Sequence, residues 1–367
     1  MKSSILLPQH RLSGAQLSRG NAPFALAFGA VPDEYRAAQE DAVVFDETAR
    51  GTVSVSGPDA LAFLHRLLAN DVRSLRPGQG NRSLLLSSKG KVRFDVDVAL
   101  EEQRALLSLA GDSEALRQAL ETYHFTEKLE VTDVSAEHAP LAVCGPRARE
   151  VLAKAFGGLP ELADHESTTL HLGRAPITVT ALPVAGSPGW RVDGGPRLAL
   201  ELWNALREAG ATPAGRIVHD ILRVEAGWAE HGVDVDDGVY PQEARIERAF
   251  SLAKGCYVGQ EVVAKIDTYG GLNKRLVALR VSHDDPVERG TRLWREDEGE
   301  WRDLGLVTSW AYSFVLDTGL VLAYVKRRHQ KPGTRFRLGD ANAPSGEATI
   351  VPLPVRSNAL APTGEFE

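Results

Sequence analysis

Thr52-Val53-Ser54-Val55-Ser56-Gly57-Pro58-Asp59-Ala60-Leu61-Ala62-Phe63-Leu64 alternates like a half-buried strand, then passes through Gly-Pro into apolar residues at helical spacing. Further along, Leu141-Ala142-Val143-Cys144-Gly145-Pro146-Arg147-Ala148-Arg149-Glu150-Val151-Leu152 does the same. Proline suits the start of a helix, where its missing N–H costs nothing. Residues 83–87 and 92–100 form a β-hairpin pattern around Ser88-Lys89-Gly90-Lys91, and 113–123 has helical spacing. In the second stretch, 168–172 and 177–184 flank Gly173-Arg174-Ala175-Pro176. Residues 190–192 then read as a short strand and 197–209 as a helix. Each half predicts strand-helix-strand-strand-helix-strand, the split βαβ unit. Two unrelated α+β segments are the alternative, but the repeated order of elements favours duplication.

From about Leu276 the texture changes. Residues 276–281, 305–310, 319–325, 335–338 and 347–351 read as short strands broken by glycine and proline, which points to a small barrel or sandwich. The fold class is α+β: two split βαβ (ferredoxin-like) halves and a C-terminal β-barrel. The boundaries expected are 1–135 for the first half, completed by 213–272, then 136–212 for the second half and 273–356 for the barrel. Residues 357–367 form a tail, and the chain after Pro354 is expected to fray.

A chain of 367 residues is too long for one ordinary core, and 43% hydrophobic with 25% charged residues is usual for a globular protein. Its net charge of −7 argues against non-specific nucleic-acid binding, so no direct nucleic-acid contact is expected. Lys326-Arg327-Arg328-His329 reads as a solvated loop. The short apolar run Ile5-Leu6-Leu7 is no signal segment, and no run reaches membrane-spanning length, so a cytoplasmic protein is expected. Cys144 and Cys256, the only cysteines, lie in an apolar strand and a glycine turn. They form neither a metal-ligand spacing nor a disulfide framework, so no metal site is expected.

Lys254-Gly255-Cys256-Tyr257-Val258-Gly259-Gln260-Glu261 sets one cysteine between glycines, with a lysine two residues before it. A nearby cation favours the reactive thiolate. By spacing alone, Cys256 is equally well a small buried turn residue.

The string KGCYVGQE resembles the hallmark of the YgfZ family of folate-binding proteins, relatives of the glycine cleavage T-protein (aminomethyltransferase). The resemblance spans nearly the whole chain. It takes in Val44-Phe45-Asp46-Glu47-Thr48, Leu67-Leu68-Ala69-Asn70-Asp71-Val72, Gly145-Pro146-Arg147-Ala148 and Leu222-Arg223-Val224-Glu225-Ala226-Gly227. It implies the three-domain arrangement of those families, a reduced folate such as tetrahydrofolate as cofactor, and a role supporting iron-sulfur enzymes, including tRNA-modifying ones. Partners would be transient iron-sulfur client proteins.

Two departures from the transferase pattern stand out. Where transferases carry paired aspartates on the second hairpin strand, this chain has Phe94-Asp95. Where they carry a Thr-Gly-Glu-Asp-Gly run, it has Ala185-Gly186-Ser187-Pro188-Gly189. The resemblance therefore leans to YgfZ, with an aminomethyltransferase as the alternative, and a stand-alone enzyme is not the first expectation. Candidate reactive residues are Cys256, Lys254 and Asp95, with Asp97 if the register slips. A folate needs aromatic walls, a few carboxylates or amides, and cations for its glutamate tail. Trp228, Tyr240, Tyr257, Glu225, Gln260 and Glu261 are candidates for the first two, and Lys254, Lys265 or Arg275 for the tail. Each has a plainer alternative as core, rim or solvated surface.

Overall fold

The computed structural model describes residues 3–297 and 299–362. The first half is an antiparallel sheet in the order Gly80–Leu86, Val92–Leu100, Arg104–Leu109, Gly51–Ser56, Glu130–Asp133. Helices Ala60–Leu67 and Ser113–Glu121 cover one face. Their apolar stripes (Phe63, Leu64, Leu67, Leu116, Leu120) pack on Val53, Val55, Val96, Val98 and Leu107. Asp112 starts the second of these helices by accepting from the Glu114 and Ala115 N–H groups.

The second sheet runs Ser167–Leu172, Ala175–Ala181, Gly189–Asp193, Leu141–Cys144, Val43–Asp46, Thr212–Pro213. Helices Ala148–Phe156 and Ala199–Ala209 pack on it around the buried Trp203. The strand before each Gly-Pro turn thus lies beside the last strand ahead of the second helix, with the hairpin outermost. That shared order makes the two halves one repeated unit.

The glycines of the repeat show the same equivalence at atomic scale. Gly57 (φ +115°) and Gly145 (φ +118°) both take a conformation disfavoured for other residues. A Cβ at Gly57 would lie 2.5 Å from the Lys128 carbonyl oxygen, and one at Gly145 2.6 Å from that of Asp41. The Asp59 and Arg147 amides, each two residues on, donate to those same two carbonyls.

The partner in the second half comes from the N-terminal segment, because strand Val43–Asp46 sits where Glu130–Asp133 sits in the first. Strand Val43–Asp46, inside the span 1–135 expected for the first half, thus pairs in the second sheet. Val43 and Val44 are fully buried, Val43 in the central core and Val44 in that of the second half.

Against four strands expected in each half, the first sheet has five and the second six. Arg104–Leu109 was not foreseen, and neither was Arg292–Asp297 in the barrel. The barrel closes in the order 274–281, 318–326, 300–313, 292–297, 335–339, 344–351.

Helix Arg216–Ala226 lies where all three bodies meet. Val218, Ile221, Leu222 and Val224 share one core with Leu84, Cys144, Leu276 and Leu322. On its other side, Arg223 binds Asp234 (2.8 Å) and donates to Ser309 of the barrel (3.0 Å), all three groups being buried. Fraying is not what happens over residues 355–360, while 363–367 of the expected tail lie outside the described residues. The Val355 amide donates to the Glu225 carbonyl and the Leu360 amide to that of Gly186. Arg356, 2% exposed, donates to the carbonyls of Leu222 and Ala185 and to Ser187. The guanidinium, all donors, thereby ties the tail to helix Arg216–Ala226 and to loop 185–189.

Candidate functional site

Between the two sheets lies a half-buried network of charged side chains, which bounds a candidate cleft. Strand Val92–Leu100 alternates, so Asp95 and Asp97 project from one face. Arg82, on the neighbouring strand, grips Asp95 through two nitrogens, with Nε–Oδ1 at 2.8 Å. The same guanidinium lies 4.8 Å from the centre of the Trp228 ring. Loop 185–189 closes that wall, since a Cβ on Gly186 would come within 3.1 Å of Trp228 Cβ and 2.4 Å of Ala226 Cβ.

Asp97 reaches across to the other half. It receives Arg50 at 3.1 Å and Arg191 at 3.0 Å, while Arg191 also binds Glu47 at 2.8 Å. Burial works to raise the Asp97 pKa, yet Arg191, His165 and Arg50 hold it well below the ordinary carboxylate range. Phe94, which precedes Asp95 in sequence, stacks on His231 at 6.2 Å.

His165 gives the cleft a pH signature. Burial alone would lower its pKa, but hydrogen bonds and charge from Asp164 and Asp97 push it up to about 9. The folded value exceeds the unfolded one of about 6.5. Its contribution, on the order of 2–3 kcal/mol, is therefore complete below pH 6.5 and is lost as pH climbs to 9. Urea midpoints at the two pH values should show that loss, and His165→Asn, which tolerates the positive φ of this residue (59°), should flatten it.

The cysteine segment forms a second group. Tyr257, 7% exposed, is anchored in the central core, and Val258 packs against the first half. Gly255 and Cys256 are exposed between these anchors and Lys254. Gly259 (φ +80°) starts helix Gln260–Tyr269, and a Cβ there would meet the Ser87 carbonyl oxygen at 2.4 Å and Gly90 Cα at 3.0 Å. The hairpin turn 88–91 is thus shared: its strand carries Asp95, and its tip cradles the helix after Cys256.

Lys254 departs from its expected part. Its ammonium donates to the His65 carbonyl, and His65 Nε2 bonds the Lys254 carbonyl at 3.0 Å. Burial pushes the amine down to about 8, with Arg73 adding to the fall and Asp71 and Cys256 opposing it. Its first role is to tie the cysteine turn to the end of helix Ala60–Leu67. Cys144, by contrast, is 1% exposed, and burial raises its thiol to about 12.

The other candidates scatter. Tyr240 lies under the Lys91 ammonium, 3.1 Å from the ring centre, close to the shared hairpin turn. Glu225 is fully buried, its oxygens taken by Tyr35 (2.8 Å) and Ser313 (2.7 Å), and burial raises its pKa. It therefore braces the three-body joint and does not face the cleft. Gln260 is half-buried in the first turn of its helix. Glu261 and Lys265 pair with each other on the exposed face of that helix, and Arg275 pairs with Glu247 at 2.9 Å. Trp228 and Asp95 are the two candidates that share the cleft. Asp97, expected only if the register slips, shares the face of Asp95, whereas Arg82, Arg50 and Arg191 were not foreseen.

Among the described residues, one group has ligand-type atoms within 4.8 Å of one another, His219, Asp220 and Glu230. Arg216 already binds both carboxylates, so this is an ion-pair cluster.

Residues 15–254 match the GCVT N-terminal domain, and 274–355 match the glycine cleavage T-protein C-terminal barrel domain. An aminomethyltransferase of Rubrobacter xylanophilus is 31% identical over 366 residues, covering 96% of this chain and 94% of the relative. One from Chlorobium luteolum is 28% identical, covering 98% of this chain and all of the relative. The crystal structure of the glycine cleavage system aminomethyltransferase T from Bartonella henselae superposes with a TM-score of 0.85 over 98% of this chain and 99% of that one. At 24% identity, that likeness speaks for the fold. With both domain matches in chain order and the doubled α+β unit capped by a closed barrel, the chain belongs to the glycine cleavage T-protein family.

Proposed function

We propose that this protein binds a reduced folate in the cleft beside Trp228 and acts, in the manner of the YgfZ proteins it resembles, in support of iron-sulfur enzymes through the thiol of Cys256. Tetrahydrofolate is the cofactor of the wider family. The residues present suit a pterin: an indole wall at Trp228 and a carboxylate at Asp95, fixed by Arg82, at one half-buried cleft. When bound, the folate would supply one-carbon chemistry or a structural prop. The chain's own part is to orient it.

The observation that carries the reading is Cys256 itself. Its neighbour Tyr257 is locked into the core while the thiol stands exposed, an arrangement that a merely structural cysteine does not need. A single thiol cannot hold a cluster, which wants about four, so the thiol would act on a cluster that a client carries.

Aminomethyl transfer is the second reading, favoured by the name that the relatives carry. It needs a carboxylate free to orient the reacting amine. Asp95 is held by Arg82, Asp97 by two arginines, and Phe94 is a hydrocarbon ring.

Two assays separate the readings. In a strain lacking the protein, Cys256→Ala should fail to restore iron-sulfur enzyme activity, while Cys144→Ala should restore it. In a reconstituted glycine cleavage reaction with this chain as the only T-component, turnover should be absent. Normal turnover there, with full complementation by Cys256→Ala, would establish the second reading.

A further inference from the structure

On the outer face of the barrel, strands Arg335–Gly339, Arg292–Asp297 and Glu300–Ser313 bound a groove of about 670 Å³, remote in sequence from every residue of the cleft. Its walls follow from strand alternation. Phe336 and Leu338 point into the barrel, so Arg335 and Arg337 point out. In the ladder, Arg337 sits between Trp294 on one side and Glu347 on the other. Arg337 lies 3.8 Å from the ring centre of Trp301, a tryptophan 37% exposed. The Trp294 indole N–H is tied to the Gly339 carbonyl at 2.8 Å, which fixes that ring as part of the wall.

The charge at this groove runs against that of the whole chain. Arg295, Lys331, Arg335 and Arg337 line it, against two carboxylates, Glu296 and Glu347. Among the described residues, Arg295, Lys331 and Arg335 form no ion pair, whereas Arg50, Arg82, Arg191 and Arg223 in the interior all do. The positive field is felt nearby. His329 is held below its ordinary value by burial first, then by Arg295, Lys326 and Arg328, with Asp297 opposing. The basic run 326–329 is itself exposed apart from the half-buried His329.

Unpaired cations that track a backbone, beside indoles that offer π-faces, are the two components from which sequence-tolerant single-strand sites are made. A purely acidic partner would need the cations but not the exposed indole, and an apolar partner would need the indole but not the cations. We propose that this groove binds a short stretch of single-stranded nucleic acid, with phosphates on Arg295, Lys331 and Arg335 and a base stacked at Trp301. Glu296 and Glu347 then accept from exocyclic amino groups of the bases.

Fluorescence anisotropy with a labelled ten-nucleotide RNA of mixed sequence tests this on the full chain. With three or four phosphates engaged, binding should be weak, with Kd on the order of 10 µM in 50 mM salt, and log K should fall with log salt at a slope of about −2 to −3. Trp301→Ala should weaken RNA binding at least about fivefold but leave heparin binding unchanged, because only the bases stack. Arg335→Glu should weaken both. All these side chains are on the outer face, so the melting temperature should not move, and folate affinity should be unaffected.

Equal loss of RNA and heparin on Trp301→Ala, no loss of either, or tighter binding of a poly-glutamate peptide than of RNA would each overturn the proposal. So would an absence of binding by the unmodified protein at 100 µM. None of these results bears on the role of Cys256.

Discussion

Asp97→Ala should cost the protein about 3 kcal/mol, the low end of the range for breaking a buried ion pair. The side chain is 22% exposed, so solvent screens part of the loss. The cost arises because Arg50 and Arg191, 15% and 12% exposed, are left to share Glu47 at the junction of the two halves. Two guanidinium groups facing one carboxylate in a half-buried joint repel each other, and Arg191 already lowers the Arg50 pKa. Thermal unfolding of the variant should begin several degrees earlier. The exposed pair Lys265–Glu261 provides the contrast, for Lys265→Ala should leave the melting temperature unchanged. Equal effects from the two substitutions would mean that the cleft network does not join the halves.

Gly259→Ala is the second large effect, and it falls on the site. Positive φ at alanine costs about 1 kcal/mol or more. The clash with the Ser87 carbonyl adds to this, because backbone on both sides cannot yield. The total should be about 2–4 kcal/mol, relieved locally as the helix after Cys256 lifts from the hairpin turn. Amide exchange across 254–269 should then quicken at least tenfold while the barrel stays protected, and iron-sulfur enzyme support should fall with Cys256 still present. Unchanged exchange would show that the hairpin does not cradle this segment.

Much of this fold can be read in the chain, for local reasons. The Gly-Pro repeat works because Gly57 and Gly145 solve the same steric problem, and a shared local constraint leaves a shared local mark. The barrel strands are betrayed by short β-rich runs between breaks. Arg104–Leu109 escaped because its leucines fall on inward and outward positions alike, with Leu106 half-exposed and Leu107 buried, so the alternation is masked. The transfer of Val43–Asp46 to the second sheet could not be read locally, since its partner lies about a hundred residues away, at Leu141–Cys144.

The site divides in the same way. Cys256 between glycines is a local pattern, and its exposure agrees with it. What Lys254 does depends on a carbonyl at His65, and what Glu225 does depends on Tyr35 and Ser313. Those partners are distant in sequence, so nothing local to the resembling segment marks Glu225 as a brace. The arginines of the cleft were hidden likewise, because Arg50, Arg82 and Arg191 find their acids only across strands and halves.

Calorimetric titration of the intact protein with tetrahydrofolate, set beside Trp228→Ala, tests the central claim most directly. The account predicts saturable heat for the unmodified protein. It also predicts an affinity at least tenfold lower for the variant, since the indole is the wall against which the pterin lies, with the melting temperature of the free protein little changed. No heat and no thermal shift at millimolar folate, or equal affinity in the two proteins, would contradict a folate site at Trp228.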